Sequence, residues 1–423
     1  MAGVYRPRHP ERTVLYRVLF HYFDRFLAEY ESRFEKEYGF LRPIIKEVVE
    51  RYLDCGNPRC GFARIRCPSC GEERLLMFSC RTRGFCPSCH AKRLEEWGEW
   101  MREKLWLDVP HRQVVFTIPK MLRIFFKYKR RLLGDLCQAA VQALLKYLQA
   151  TTGTELRPGV VASIQTFGAK INLHVHLHFL VTEGGEDSEG RFHHLPSFQD
   201  NLLSEFFSRE VFALLLREEL ISEAVKEKIL GWRHSGFSVH SKVRAKTREE
   251  AERVGKYIVR PLLSLDRLSF DEREGEVCYR YGEKPQEVER MDYLDFIARV
   301  TSHIPDKGQV TVRYFGLYAG AHRGKVRKRQ PHKPPFLIIE EESPRVPRRG
   351  WAEMIRKVYE VNPLTCPKCQ AEMRIIAFLT DYAVVDRIIA HLKLTFVAER
   401  PPPPHVISQE FLMDSETAAE YYL

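Results

Sequence analysis

Apolar residues recur at helical spacing through residues 13–54, which predicts helices over the first stretch of the chain. A further helix is predicted over residues 91–107, where three tryptophans supply a bulky apolar side. Between these two stretches, residues 55–90 are dense in cysteine. The chain therefore begins with helices that lead into a small module of different character.

From residue 108 onward, short apolar strands alternate with helical stretches. Strands are predicted at residues 113–118, 160–165, 171–182 and 236–243. Helices are predicted at residues 121–149, 198–218 and 247–262. Strands separated by helices and by hairpin-like joins indicate an α+β domain with an antiparallel or mixed sheet and flanking helices.

The C-terminal part is predicted to be less compact. A basic, proline-rich tract reads as an exposed linker, and a small unit with a CxxC motif and a helix from Tyr382 follows it. The predicted organisation is helices at 1–54, a zinc-binding module at 55–107, the α+β domain at 108–320, the linker at 321–350, the CxxC unit at 351–396 and a loose tail at 397–423.

Length and composition limit the class of protein. The chain has 423 residues, of which 44% are hydrophobic and 29% are charged, and this excludes a mainly disordered or collagen-like chain. No apolar run approaches the ~18 residues of a membrane span, and the first ten residues lack the apolar core of a signal peptide. We therefore expect a cytoplasmic protein. Its net charge of +11 favours a polyanionic partner.

Seven of the 11 cysteines fall between Cys55 and Cys89, which is far from a random scatter. Two CPSC motifs in this segment can each present two thiolates on one tight turn. Two such turns facing each other give the four-sulfur cage that Zn²⁺ prefers. The sequence therefore predicts a zinc-ribbon-like module with structural zinc bound by Cys67, Cys70, Cys86 and Cys89.

Other cysteines leave alternatives open. Cys55, Cys60 and Cys80 are spare ligands that could form part of a second site with His90, or Cys55 and Cys80 are simply buried thiols. Cys366 and Cys369 form half a cage, which is completed from elsewhere, for example by His391, or binds no metal. Residues 59–93 carry eight basic and two acidic side chains, so the module also predicts a nucleic-acid-binding surface.

Residues 172–181 alternate strictly, with His174, His176 and His178 on one face of a predicted strand. Same-face neighbours on a strand lie ~6–7 Å apart, so adjacent imidazoles can reach one shared ion. The pattern predicts a metal-binding strand. The alternative is a half-exposed edge strand on which the histidines are merely polar.

The string IQTFGAKINLHVHLHFLVTEGG, with His176-Leu-His178 followed by Glu183, resembles the motif region of rolling-circle transposases of the insertion sequence 91 family, which are HUH endonucleases. Four other strings match this family in the expected order: CPSCGEERLLMFSCRTRGFCPSCHAKR, GKYIVRPLLSLDRL, VRYFGLYAGAHR and WAEMIRKVYEVNPLTCPKCQAEMRIIAFL. The matches run from residue 67 to residue 379. The resemblance implies an HUH-type sheet preceded by the helical, zinc-ribbon-like module.

The resemblance also implies a transposase that nicks single-stranded or hairpin DNA at element ends. It would act by metal-dependent transesterification through a 5′-phosphotyrosine and join strands in rolling-circle transposition. His176 and His178 match the ligands of a catalytic Mg²⁺ or Mn²⁺, and Gln165 is a candidate third ligand. Tyr257 matches the nucleophile.

Basic residues surround Tyr257, and they are expected to favour its phenolate and to hold a phosphate. Arg260 is the predicted catalytic partner, and Pro261 should end the helix that bears Tyr257. DNA contacts are predicted for Arg253, Lys256, Arg323, Lys325, Arg327, Lys328 and Arg329.

Members of the family with two tyrosines carry the second one where this chain has Arg253, so the chain resembles a single-tyrosine type. Two other functions fit the same sequence. One is a replication initiator or relaxase with the same histidine chemistry, and the other is a non-catalytic, zinc-dependent DNA-binding protein. The sequence leaves the oligomeric state open, with a dimer as one option.

Overall fold

The computed structural model describes five stretches of the chain, residues 10–82, 84–195, 197–282, 287–329 and 364–391. The chain divides into two compact units, each assembled from segments that are distant in sequence. The first, here called the cysteine unit, comprises Met1–Lys92, Leu263–Ile304 and Glu341–Leu423. The second, here called the sheet unit, comprises Arg93–Leu262 and Pro305–Glu340.

This division differs from the predicted domains. Residues 263–304 lie inside the predicted domain at 108–320 but cluster with the cysteine unit, and so does the predicted CxxC unit. A helix at Gly320–Arg329 occupies the start of the predicted linker. The rest of that linker, residues 330–350, and the predicted tail at 397–423 lie outside the described residues.

The helices of the described residues are labelled α1–α12 in chain order: Val14–Arg33, Glu35–Tyr38, Pro43–Leu53, Pro87–Trp100, Arg123–Tyr128, Leu132–Thr152, Asp200–Arg217, Glu223–Leu230, Arg248–Ile258, Tyr293–Ser302, Gly320–Arg329 and Tyr382–His391. A π-helical turn at Met101–Leu105 follows α4. Short 3-10 turns lie at Pro10–Arg12, Pro58–Cys60, Lys120–Leu122 and Leu265–Arg267. None of the helices in this part of the chain is long and apolar enough to cross a membrane.

The strands of the same residues are labelled β1–β14: Phe62–Arg66, Glu73–Met77, His111–Thr117, Gly159–Phe167, Leu173–Thr182, Gly184–Glu186, Phe192–His194, Ser238–His240, Arg244–Ala245, Leu268–Asp271, Glu276–Tyr281, Glu287–Asp292, Val312–Gly316 and Arg374–Leu379. Every pair of hydrogen-bonded strands in this set runs antiparallel.

The cysteine unit combines helices with two three-stranded sheets, of orders β14-β1-β2 and β10-β11-β12. Helix α1 begins after Thr13, whose hydroxyl oxygen accepts a hydrogen bond from the Tyr16 N–H at 3.3 Å. Its apolar residues are buried at helical spacing, and the helix packs against α10 and β10. The helical start that the sequence predicts is therefore confirmed.

The first hairpin of this unit lies earlier than the sequence predicts. Strands β1 and β2 pair Phe62 with Met77 and Arg66 with Glu73, so the first CPSC motif forms their turn. The alternation within residues 71–85 predicts a short hairpin between the two CPSC motifs. That prediction is wrong, because the chain leaves the sheet after β2 and leads to α4. Strand β14 pairs with the other edge of β1, with Leu379 opposite Phe62.

The sheet unit is built on one antiparallel sheet of order β13-β4-β5-β3-β8, to which β9 adds by pairing with β3. One face packs against α6 and α7, and this core includes the alternate residues Val175, Leu177 and Phe179 of β5. The opposite face packs against α9 and the π-helical turn. The α+β class with an antiparallel sheet and flanking helices is thus confirmed.

Glu183, immediately after β5, is an ionic residue that the fold buries completely. Its carboxylate contacts the Arg112 guanidinium at 2.8 Å and accepts a hydrogen bond from Arg244 Nε at 2.6 Å. Arg112 is itself buried and also donates to the Ser241 carbonyl at 2.8 Å. Glu183 therefore neutralises a charge on β3 and ties the ends of three strands together.

Replacing Glu183 with Gln should destabilise the sheet unit by about 3 kcal/mol, because the buried Arg112 loses its counter-charge. Urea unfolding followed by tryptophan fluorescence measures this, since Trp97, Trp100, Trp106 and Trp232 all lie in the sheet unit. Glu189→Gln is the matched control, because Glu189 forms an exposed pair with Arg191 and should change the midpoint little. Equal midpoints for the two variants would contradict this role.

Candidate functional site

The structure brings eight cysteines together in two groups of four. The first cysteine cluster consists of Cys55, Cys80, Cys86 and Cys89. The second cysteine cluster consists of Cys67, Cys70, Cys366 and Cys369. Within each cluster the four sulfur atoms lie within 4.8 Å of one another, and each set could hold a metal ion.

The first cluster has the spacing that a tetrahedral zinc site requires. With Zn–S bonds of ~2.3 Å, ligand sulfurs are about 3.8 Å apart. The Sγ–Sγ distances are 3.9 Å for Cys55–Cys89, 3.8 Å for Cys55–Cys86 and 3.5 Å for Cys80–Cys89. Thiols of Cys80 and Cys86 hydrogen-bond the Cys55 sulfur and lower its pKa, which favours the thiolate that zinc needs.

The predicted cage of Cys67, Cys70, Cys86 and Cys89 is wrong, because its two halves belong to different clusters. Cys67 and Cys70 lie in the β1–β2 turn, whereas Cys86 immediately precedes α4 and its carbonyl accepts from the His90 N–H at 2.9 Å. Identical CPSC strings therefore adopt different backbones. Among the described residues, neither cluster includes His90 or His391.

The histidine strand β5 lies in the middle of its sheet, not at an edge, which excludes the half-exposed alternative. His174, His176 and His178 share the face that packs against α9, and their ring centroids are 4.6 and 4.8 Å apart in succession. The side chains of His176 and His178 are only 6% and 7% exposed. Three imidazoles thus lie in a row on one face of the sheet.

Hydrogen bonds fix the protons of these rings. His176 Nδ1 lies 2.8 Å from the His174 carbonyl and must donate to it, so Nε2 keeps a free lone pair. His178 Nδ1 lies 3.1 Å from Gln113 Nε2, an amide nitrogen that donates, so in this amide orientation Nδ1 accepts and Nε2 carries the ring proton. A half-turn of the Gln113 amide would bring its oxygen to Nδ1 and leave Nε2 with a free lone pair. His178 Nε2 is buried and has no hydrogen-bond partner among the described residues.

Gln165 completes this arrangement from the neighbouring strand. The antiparallel register of β4 and β5 sets Gln165 directly opposite His176. Its side-chain N–H donates to the Ile258 carbonyl at 2.7 Å, at the end of α9. Its Oε1 is buried and, like His178 Nε2, has no partner within the described stretches. His176 Nε2 and Gln165 Oε1 are therefore acceptors on one sheet face, and His178 Nε2 joins them when the Gln113 amide is turned. This ligand set fits Mn²⁺ or Mg²⁺.

Burial keeps these histidines uncharged. It lowers the pKa of His174 to about 4 and that of His178 to about 3, and it also lowers the pKa of His176. The positive charge of Arg260 acts in the same direction on His176 and His178. Neutral imidazole is the form that binds a metal ion, so the rings are ready to do so at neutral pH.

Tyr257 lies in the last turn of α9, on the solvent side, with 55% of its surface exposed. Pro261 follows the helix end, in line with the sequence prediction. The Arg260 guanidinium carbon lies 5.4 Å from the centre of the Tyr257 ring. Gly255 lets α9 lie close to α4, since a Cβ there would lie 3.2 Å from Trp97.

Two further tyrosines of the matched VRYFGLY segment are structural. Tyr314 accepts a hydrogen bond from Trp97 Nε1 at 2.7 Å, and burial raises its pKa. Tyr318 is buried against Trp106, and its hydroxyl lies 2.5 Å from His111 Nε2. Neither hydroxyl is placed to attack a phosphate in solvent.

The structure divides the predicted DNA-contacting residues. Arg253 and Lys325 are exposed. Lys256 is a correction, because its ammonium forms ion pairs with Glu95 at 2.6 Å and with Glu252 at 2.8 Å. Arg323 is a second correction, since its guanidinium is half-buried over the Trp100 and Tyr314 rings. The side chains of Arg327, Lys328 and Arg329 lie outside the described part of α11.

Two residues of this region escape sequence reasoning. Gln113 reaches His178 from β3, and Arg123 acts electrostatically on His174 and His176. Gln113 stands in a run that reads only as a buried strand, and Arg123 belongs to a helical stretch. Their relation to the histidines follows from strand pairing and packing, which no local pattern encodes.

Two family models match this chain. Residues 159–326 match the family described as "Putative transposase", and residues 22–118 match a "Transposase zinc-binding domain". The chain is 29% identical, over 82% of its length and 87% of the relative's, to the transposase for insertion sequence element IS801 of Pseudomonas savastanoi pv. phaseolicola.

A second relative is the putative transposase y4qJ of Sinorhizobium fredii (strain NBRC 101917 / NGR234). It is 27% identical to this chain, over 70% of the chain and 79% of the relative. No solved structure gives a significant match.

These matches define the class of protein as a transposase with an N-terminal zinc-binding domain. They support the assignment of the chain to the insertion sequence 91 family of transposases that its sequence motifs predict. The zinc-binding match and the two clusters together support zinc as a structural cofactor.

The lowered histidine pKa values predict an acid-sensitive sheet unit. An unfolded histidine takes up a proton near pH 6.5, whereas folded His178 resists it down to about pH 3. The contribution of these histidines to the free energy of unfolding should therefore be present in full above pH 6.5. It should fall as the pH drops, by about 2 kcal/mol for His178 alone at pH 5. Urea midpoints between pH 4.5 and 7.5 measure this.

The variant His178→Asn should flatten that pH dependence. The exposed His234→Gln serves as the control and should keep the wild-type slope. If His178→Asn and wild type lost stability in parallel over this range, the buried, neutral state of His178 would be disproved.

Proposed function

We propose that this transposase cleaves and rejoins single-stranded DNA at element ends, with Tyr257 as the nucleophile and a divalent ion held by His176, His178 and Gln165. One observation carries the proposal. Gln165 lies opposite His176, its buried side-chain oxygen has no hydrogen-bond partner in the described part of the chain, and its amide N–H bonds the end of the helix that bears Tyr257. A hydrogen bond therefore joins the proposed ion ligand Gln165 to the helix that bears the proposed nucleophile.

The ion, Mg²⁺ or Mn²⁺, would supply Lewis-acid polarisation of the scissile phosphate. The residues present fit this role because each has a side-chain nitrogen or oxygen that could bind the ion. His176 presents Nε2 as a consequence of its bond to the His174 carbonyl. For His178, a half-turn of the Gln113 amide would bring the amide oxygen to Nδ1, where it would accept the Nδ1 proton and leave Nε2 to bind the ion.

Cleavage is a transesterification at phosphorus. Tyr257 Oη attacks the phosphate, a P–O(Tyr) bond forms, and the P–O3′ bond breaks. The 3′ oxygen leaves as a hydroxyl, taking up a proton in place of the one that the phenol gives up. Arg260 lies beside the ring and can favour the phenolate and bind the phosphate charge.

Rejoining is the reverse reaction with a new partner. A free 3′-OH attacks the phosphotyrosine, restores Tyr257 and joins two strands without an external energy source. The matched motif has Tyr257 but carries Arg253 where two-tyrosine members have their second tyrosine. The second strand transfer would therefore use a 3′-OH or the Tyr257 of another protomer. Arg253 and Lys325 are exposed and suited to contact the DNA backbone.

The comparisons favour this reading over the two alternatives. A replication initiator or relaxase would share the histidine and tyrosine chemistry, but the relatives along most of this chain are described as transposases. A non-catalytic DNA-binding protein would have no need of uncharged, buried imidazoles on a sheet face that bonds, through Gln165, the end of the helix bearing an exposed tyrosine.

Incubation with labelled single-stranded oligonucleotides from element ends and Mn²⁺ should give a protein–DNA adduct that survives denaturing electrophoresis. Tyr257→Phe should abolish the adduct, because no other group at this site can form the phosphotyrosine. His178→Ala should reduce it at least 100-fold, since the ion site loses a ligand.

Tyr382→Phe is the matched control, because Tyr382 is an exposed tyrosine of the cysteine unit and should leave the adduct unchanged. An adduct that persists in Tyr257→Phe would move the nucleophile elsewhere. An adduct that forms equally well in EDTA would disprove the metal dependence.

A further inference from the structure

We propose that the second cysteine cluster binds its own structural zinc ion, in addition to one in the first cluster, and that this ion fastens strand β14 to the first hairpin of the chain. Half of its ligands, Cys366 and Cys369, lie far beyond residue 118, where the match to the zinc-binding domain ends. The two ligand pairs approach each other across 302 residues of sequence.

The two pairs of cysteines lie in backbone turns of the same kind. In the first turn, the Gly71 N–H donates to the Cys67 carbonyl at 3.0 Å, and the Cys67 N–H donates to the Glu72 carbonyl at 2.8 Å. The two corresponding bonds at Cys366 measure 2.9 and 2.8 Å. Each turn therefore projects its two thiols from one side of a short loop, as zinc knuckles do.

The match extends to the residue that follows each pair. Gly71 has a φ of 75°, and Gln370, at the corresponding position, has a φ of 63°. Glycine adopts this left-handed backbone readily, whereas glutamine does so at a cost in free energy. Gln370 adopts this backbone nonetheless. The geometry of the turn therefore outweighs the conformational preference of glutamine.

The sulfur atoms of the two turns converge on one point. Cys67 Sγ lies 3.4 Å from Cys369 Sγ, and Cys70 Sγ lies 3.5 Å from Cys366 Sγ. These contacts cross between the turns, so the four thiols form a closed cage with two ligands from each end of the chain. All four are free thiols, available as ligands.

Among the described residues, two small apolar clusters surround the sheet that carries this site. The adjoining buried cluster contains Ala63, Ile65, Leu76, Phe78 and Met373 besides the cysteines. The second joins Phe62 of β1 to Val385 and Ile389 of α12. Small units with cores of this size commonly gain stability from a metal or a disulfide. The ion would make the N-terminal hairpin dependent on a turn that is synthesised about 300 residues later.

The zinc content of the full-length protein tests this directly. Purified wild type should contain two zinc ions per chain by inductively coupled plasma mass spectrometry. The double variant Cys366→Ser/Cys369→Ser should contain one. The matched control Cys137→Ala/Cys278→Ser changes two cysteines outside both clusters and should retain two. One zinc ion in wild type, or two in the Cys366/Cys369 variant, would overturn the proposal.

Thiol alkylation of wild type provides a test that does not depend on the folding of a variant. Cys369 is exposed, so the fold alone gives its thiol no shelter from N-ethylmaleimide. Bound zinc should slow its modification at least tenfold, and a zinc chelator should abolish this protection. Cys278, partly exposed and outside both clusters, should react alike in both conditions. Unchanged reactivity of Cys369 upon chelation would refute a metal ion at this site.

Discussion

The antiparallel pairing of β4 with β5 is the constraint on which the candidate site depends. It sets Gln165 opposite His176 on the face that packs against α9. From there the Gln165 amide reaches the Ile258 carbonyl at 2.7 Å, one residue beyond Tyr257. A slip of one residue in this pairing would turn the histidines toward the apolar core of α6 and α7 and separate Gln165 from the helix.

The two kinds of candidate metal centre differ in the way their chemistry requires. Each cysteine cluster surrounds one point with four soft sulfur donors, which suits a closed, structural zinc site. The histidine face offers two nitrogens and one amide oxygen, so an ion there would keep positions open for phosphate oxygens. The zinc-binding domain match covers residues 22–118, and the transposase match covers residues 159–326, which include His176 and His178.

Sequence alone predicts the features that depend on local pattern. Strict alternation predicts that His174, His176 and His178 share one face of a strand, and Pro261 predicts that the helix bearing Tyr257 ends before it. It could not give the cysteine partners, because the two CPSC strings are identical and only their backbones, a hairpin turn and a helix start, separate them. Nor could the sequence show that Lys256 forms an ion pair with Glu95, which lies on another helix.

The central claim, that the histidine face holds a divalent ion, is tested most directly by pulsed electron paramagnetic resonance of Mn²⁺ bound to the full-length protein. The account predicts couplings to two imidazole nitrogens in wild type and to one in His178→Ala. Bound Mn²⁺ without any nitrogen coupling, or with the same couplings in both proteins, would contradict it.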